Sequence, residues 1–91
     1  AGLGLLLRRL AGVMTARNYK MVDYNIAADK LEVAASVTPG IDSPTVSPLA
    51  REGWFAVRAM IPAKQAPLIM DELWEVGAEG ILVTDIAACR L

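Results

Sequence analysis

At 91 residues, 55% of them hydrophobic, the chain makes one small domain whose Ala, Leu, Val, Ile and Met are hard to hide in so small a body, which points to oligomerisation or a larger parent chain. The net charge is −1 and no basic cluster exceeds Arg8-Arg9, so nothing supports electrostatic capture by nucleic acid or by a membrane. The absence of histidine excludes zinc sites and Ser-His or Cys-His catalysis in their usual forms, and Cys89, the only cysteine, rules out an internal disulfide and implies a reducing compartment.

The chain opens Ala1-Gly2-Leu3 without methionine, which reads as a cut product. The apolar run from Leu3 to Leu10, interrupted by Arg8 and Arg9, is too short to span a bilayer and no signal-peptide cleavage pattern follows. Leu3, Leu6, Leu7, Leu10, Val13 and Met14 recur at helical spacing and predict an amphipathic helix over 3–16, whose apolar stripe needs either the core or a neighbouring domain as partner. Residues 19–26 alternate, with Val22, Tyr24 and Ile26 apolar, and read as a first strand. Asp23 and Asn25 share its other face and either grip a ligand or cap the next helix. A helix is expected over 27–37, with Leu31, Ala34, Ala35 and Val37 inward and Thr38-Pro39-Gly40 as its stop.

Ser43-Pro44-Thr45-Val46-Ser47-Pro48-Leu49 alternates hydroxyls with prolines and apolar residues. Proline gives nothing to a sheet ladder, so this strand belongs on an edge. Arg51-Glu52-Gly53 makes a hairpin connection to the apolar strand 53–61. A second helix covers 63–76, with Ile69, Met70, Leu73 and Trp74 on or near one face, Pro67 tolerated in its first turn and Gly77 as its stop. Residues 79–86 form the last strand, with no proline or lysine to protect its edge. After the opening helix the order is strand, helix, strand, strand, helix, strand. Two right-handed crossovers then give an α+β, ferredoxin-like split βαβ sandwich (βαββαβ) with an extra N-terminal helix. Its strands 1 and 3 are central, and helices cover one face. Trp54, Ala56, Arg58 and Met60 lie on the open face, which is apolar enough to want another subunit over it.

Nucleotide-binding glycine signatures are missing: Gly2-Leu3-Gly4 lacks a third glycine and a preceding strand, and there is no Gly-Lys-Ser/Thr. Asp23 and Asp85 are strand-end acids with no nucleophile, base or metal cluster beside them, and Cys89 reads as a small apolar filler, so no catalytic or metal residues are assigned.

Five segments in one register carry a family resemblance. They are Tyr19-x-Met21-x-Asp23-Tyr24-Asn25, Thr38-Pro39-Gly40-Ile41-Asp42-Ser43-Pro44-Thr45-Val46-Ser47-Pro48-Leu49, Gly53-Trp54-x-Ala56-Val57-Arg58-Ala59, Met70-Asp71-Glu72-Leu73 and Gly77-Ala78-x-Gly80-Ile81-Leu82-Val83-Thr84-Asp85-Ile86. Together they resemble the C-terminal regulatory domain of long-form ATP phosphoribosyltransferases, over about residues 5–91. The resemblance implies a ferredoxin-like domain at 18–91, preceded at 1–17 by a helix or linker from a catalytic region. It implies a cytoplasmic protein that binds L-histidine and relays feedback inhibition of the first step of histidine biosynthesis. The domain itself would need no cofactor, while the parent enzyme would use Mg2+. The partners implied are L-histidine, the enzyme's own catalytic domains, and other copies of the chain, as domain trimers within a hexameric parent. The other reading, from the residues alone, is a ligand-free ferredoxin-like oligomerisation module.

Carried over residue by residue, the resemblance places the histidine pocket at Asn25, Ile41, Ser43, Thr45, Met60 and Gly80. Ser43 and Thr45, two apart in an extended segment, turn their hydroxyls the same way, and Pro44 stiffens the backbone between them. Asn25 departs from the family, which often has aspartate here; asparagine keeps the size and an acceptor but loses the charge.

Overall fold

The structure, a computed structural model, describes residues 2–38 and 44–89. The elements run α1 (Gly2–Asn18), β1 (Tyr19–Ala27), α2 (Leu31–Val37), β2 (Thr45–Pro48), β3 (Trp54–Pro62), α3 (Ala66–Val76) and β4 (Glu79–Asp85), with short 3-10 turns ahead of α2 and α3. The four strands form one antiparallel sheet in the order β2-β3-β1-β4. This is the split βαβ arrangement expected from the pattern. β1 and β3 are central, and the proline-bearing β2, exposed at every residue, is an edge.

The period-2 pattern settles which face is buried. Val22, Tyr24 and Ile26 of β1 and Val57, Ala59 and Ile61 of β3 are all buried, and they meet Ala34 of α2 with Ala66, Ile69 and Leu73 of α3. α3 begins with Pro67 in its first turn, where the missing amide hydrogen has no helical partner to lose. It ends at Gly77, whose φ of 103° lets the chain turn back. Gly77 N–H then donates to the Trp74 carbonyl at 3.1 Å and Ala78 N–H to the Leu73 carbonyl at 3.0 Å, a Schellman pair. The inner stripe of α3 is Ala66, Ile69 and Leu73, completed by the half-buried Val76. Trp74, expected on or near that stripe, instead stands 70% exposed, because one step of about 100° carries it off the core-facing side.

Within the core, the Tyr24 hydroxyl and the Thr38 hydroxyl are 3.1 Å apart, and Thr38 also donates to the Ala34 carbonyl at 3.4 Å. This satisfies both buried hydroxyls and pins the end of α2 to the centre of β1. Burial raises the Tyr24 phenol above its ordinary pKa, and the Thr38 hydrogen bond offsets part of that.

α1 is longer than its periodicity predicted, and it does not join the core. Gly12 is its only buried residue; Leu3, Leu6, Leu7, Leu10, Val13 and Met14 are exposed by 47–71%. The helix meets the body at Gly12, whose carbonyl accepts from the half-buried Cys89 thiol at 3.2 Å as the chain after β4 returns alongside it. Packing of the leucine stripe in this domain's own core is therefore ruled out for the described residues. No helix among them is long and apolar enough to cross a membrane.

Candidate functional site

Opposite the helices, the sheet register lays side chains in rows. Thr45 of β2 faces Arg58 of β3, which faces Asp23 of β1, which faces Leu82 of β4. In the next row Ser47 faces Ala56, which faces Asn25, which pairs with Glu79. The register between β1 and β4 shifts between Asp23 and Asn25, so β4 carries one extra residue there. Gly80 lies in that bulge with φ 59°, a conformation glycine adopts at little cost.

These rows make a hollow. Ala56 and Gly80 are too small to fill the middle of the face, while Thr45, Arg58, Asp23 and Leu82 rise along one side. The result is an open cavity of about 420 Å³ lined by Asn25, Thr45, Ser47, Arg58, Asp23 and Gly80 among others. That volume falls in the range of small-molecule sites. Arg58 Nε donates to Asp23 Oδ1 at 2.9 Å, with the two side chains 63% and 33% exposed. So open an ion pair contributes about 0–1 kcal/mol to stability, which leaves fold maintenance a weak reason for its presence. At the neighbouring end of the face, the Arg51 guanidinium lies 3.8 Å from the centroid of the Trp54 ring and its Nη1 is 3.3 Å from Glu79 Oε2, tying the β2–β3 hairpin to the start of β4.

The structure brings Asn25, Thr45 and Gly80 together from three separate strands. Met60 shares the open face and sits opposite Met21, but it stands beyond the lining of the hollow. Ile41 and Ser43 lie outside the described residues. Arg58, Ser47 and Leu82 also line the hollow, beyond the positions that the resemblance implies. Alternation placed Arg58 on the right face, yet only the register shows it opposite Asp23. Asp23 and Asp85 fall on opposite faces of the sheet, Asp23 with Arg58 and Asp85 with Lys20, so they form no carboxylate pair. The Lys20 hydrogen bond and charge hold the Asp85 carboxyl below its ordinary pKa, and whatever stability this exposed pair adds is present at neutral pH and lost as pH falls through that lowered value. Among the described residues no group of three or more acidic or cysteine side chains is placed to hold a metal ion.

A family model described as HisG, C-terminal domain, matches residues 16–88. The chain belongs to the HisG C-terminal domain family. Its relatives include proteins named ATP phosphoribosyltransferase: one from Streptomyces coelicolor is 61% identical over 85 residues, covering 93% of this chain and 30% of the relative. Another from Salinispora tropica is 60% identical over 87 residues, covering 96% of this chain and 31% of the relative. One from Corynebacterium efficiens is 54% identical over 87 residues, again 96% of this chain and 31% of the relative. This HisG C-terminal domain thus spans about 30% of the length of the curated relatives it matches. The family match starts at residue 16, near the end of α1, and takes in all four strands that build the hollow.

Proposed function

We propose that this chain is the L-histidine-binding regulatory domain of an ATP phosphoribosyltransferase and relays feedback inhibition of the first step of histidine biosynthesis. The observation that carries the reading is the convergence of Asn25, Thr45 and Gly80 on one open hollow. Three positions assigned by resemblance come from three strands, and a purely structural role would not require them to share a cavity. The relatives' shared name supports the parent enzyme. In this reading 1–17 joins a catalytic region to the sensor at 18–91, and the Mg2+ of phosphoribosyl transfer belongs to that region, in a cytoplasmic enzyme.

Inhibition requires that histidine bind the inactive arrangement of the parent better than the active one. Titration of the full-length parent with L-histidine, by calorimetry and by inhibition of phosphoribosyl-ATP formation, tests this directly. Thr45→Val keeps the shape and removes a hydroxyl; it should weaken histidine binding by about 1–3 kcal/mol if a polar group of the ligand is left unpaired. Asn25→Asp should strengthen binding if the amide meets the ligand's positive groups. No heat with L-histidine in the wild type, together with self-association, would instead favour the ligand-free oligomerisation module. The unprotected β4 edge and Leu82, 63% exposed, suit contacts between copies in either reading, including a domain trimer within a hexamer.

The leucine face of α1 fits a seat on the catalytic region. Leu6→Glu combined with Leu10→Glu, both residues more than half exposed, should change the stability of this chain alone by no more than about 0.5 kcal/mol. The same pair should lower the melting temperature or activity of the parent. Equal losses in both proteins would place the stripe in this domain's own core instead.

A further inference from the structure

We propose that the Arg58–Asp23 pair is the anchor for the charged ends of a zwitterionic amino acid, with Arg58 holding the α-carboxylate and Asp23 the α-ammonium. This rests on the amino-acid reading of the hollow and adds two residues to it. The guanidinium uses Nε–H for Asp23 Oδ1 at 2.9 Å, and its two Nη nitrogens have no partner among the described residues. Nη1 and Nη2 together offer the planar, parallel N–H fork that matches a carboxylate. Asp23 has likewise spent one oxygen on Arg58, and Oδ2 remains an acceptor with no described partner. The bond between them fixes each group while leaving the recognition edge of each available. An exposed arginine would otherwise lose much side-chain freedom on gripping a ligand, and the Asp23 contact removes part of that loss in advance.

The charge of the hollow selects the ligand class. Among the described residues that line it, Arg58 and Asp23 are the only ionisable side chains apart from the Tyr24 phenol, whose hydroxyl is on the other side of the sheet with Thr38. One cation and one anion match a molecule that carries one of each. A phosphate or nucleotide would set uncompensated negative charge against Asp23, and a simple amine would set positive charge against Arg58. In the next row the lining members, Ser47, Asn25 and the Gly80 bulge, are uncharged and meet the ligand's side chain, while Glu79 at the end of the row is paired with Arg51 outside the lining; Thr45 stands beside Arg58 and adds a hydroxyl at the carboxylate end. The polarity of the bound ligand is thereby set, backbone toward the Arg58 row and side chain toward Asn25.

The test crosses ligand with protein in the full-length parent. L-histidine, histamine (no carboxylate) and imidazolepropionate (no ammonium) are titrated by calorimetry into the wild type, Arg58→Gln and Asp23→Asn. L-histidine should bind the wild type at least tenfold more tightly than histamine does, and Arg58→Gln should weaken L-histidine at least tenfold while leaving histamine unchanged. Asp23→Asn should show the matching pattern, penalising L-histidine and sparing imidazolepropionate. L-histidine binding both variants as tightly as the wild type would overturn the anchor and leave the histidine site standing. A wild type that binds no amino acid would overturn both. A different L-amino acid bound with the same Arg58 dependence would uphold the anchor and overturn histidine as the ligand. Should either variant unfold, the ligand series on the wild type decides alone: equal affinity for all three ligands would overturn the anchor.

Discussion

Replacing Leu73 with alanine should lower the unfolding free energy of this chain by about 2–5 kcal/mol, and replacing its neighbour Trp74 with alanine should change it by no more than about 0.5 kcal/mol. Leu73, on the inner stripe of α3, is fully buried in the core, whereas Trp74, next in sequence and larger, is 70% exposed. Truncating Leu73 removes apolar atoms from the core that also holds Tyr24, Ile26, Ile61 and Val57, and a close-packed interior collapses only partly around such a cavity. A domain of this size has about 5–14 kcal/mol of stability in total, so the first substitution takes a large share of it. Urea unfolding followed by circular dichroism, which does not depend on the indole, measures both. A larger loss at Trp74 than at Leu73 would mean that α3 is rotated by about one residue from the packing described.

Most of the architecture could be read from the chain because two periodicities agree with their local stops. Val22-Tyr24-Ile26 and Val57-Ala59-Ile61 alternate cleanly, Pro67 and Gly77 bracket α3, and Pro44 and Pro48 confine β2 to an edge. What the pattern leaves open, or places wrongly, lies where periodicity cannot see the partner. A stripe at helical spacing in α1 looks the same whether it meets this core or another body, and Trp74 looks like core by composition although its angular position is wrong. The candidate site was legible in part for a related reason. Asn25, Thr45 and Gly80 came from family resemblance, while the pairing of Arg58 with Asp23 depends on strand register across 35 positions, which no local pattern encodes. The hollow itself comes from what is absent, bulk at Ala56 and Gly80, and small residues give no signal of a cavity until their neighbours are placed.

Gly80 carries the second large effect, because it serves both the backbone and the hollow. Its φ of 59° accommodates the extra residue of β4 opposite the Asp23–Asn25 step, and a Cβ built there would lie 3.6 Å from Asn25 Nδ2. That distance is an ordinary contact, so Gly80→Ala meets no wall and isolates the cost of a side chain at positive φ, about 1–2 kcal/mol of stability. Valine adds two branched methyls at a position where β-branched residues are genuine outliers, raising the cost to about 1–3 kcal/mol, and it places those methyls beside Asn25 on the face proposed to bind the ligand. On the proposed reading, Gly80→Ala in the parent enzyme should therefore retain histidine binding with a lowered melting temperature, while Gly80→Val should lose the inhibition by L-histidine proposed for the wild type. Catalytic turnover without histidine should survive in both, since neither change reaches the catalytic region. If Gly80→Val is inhibited as well as the wild type, the ligand does not occupy the hollow over Ala56, and the regulatory site must be sought elsewhere on the domain.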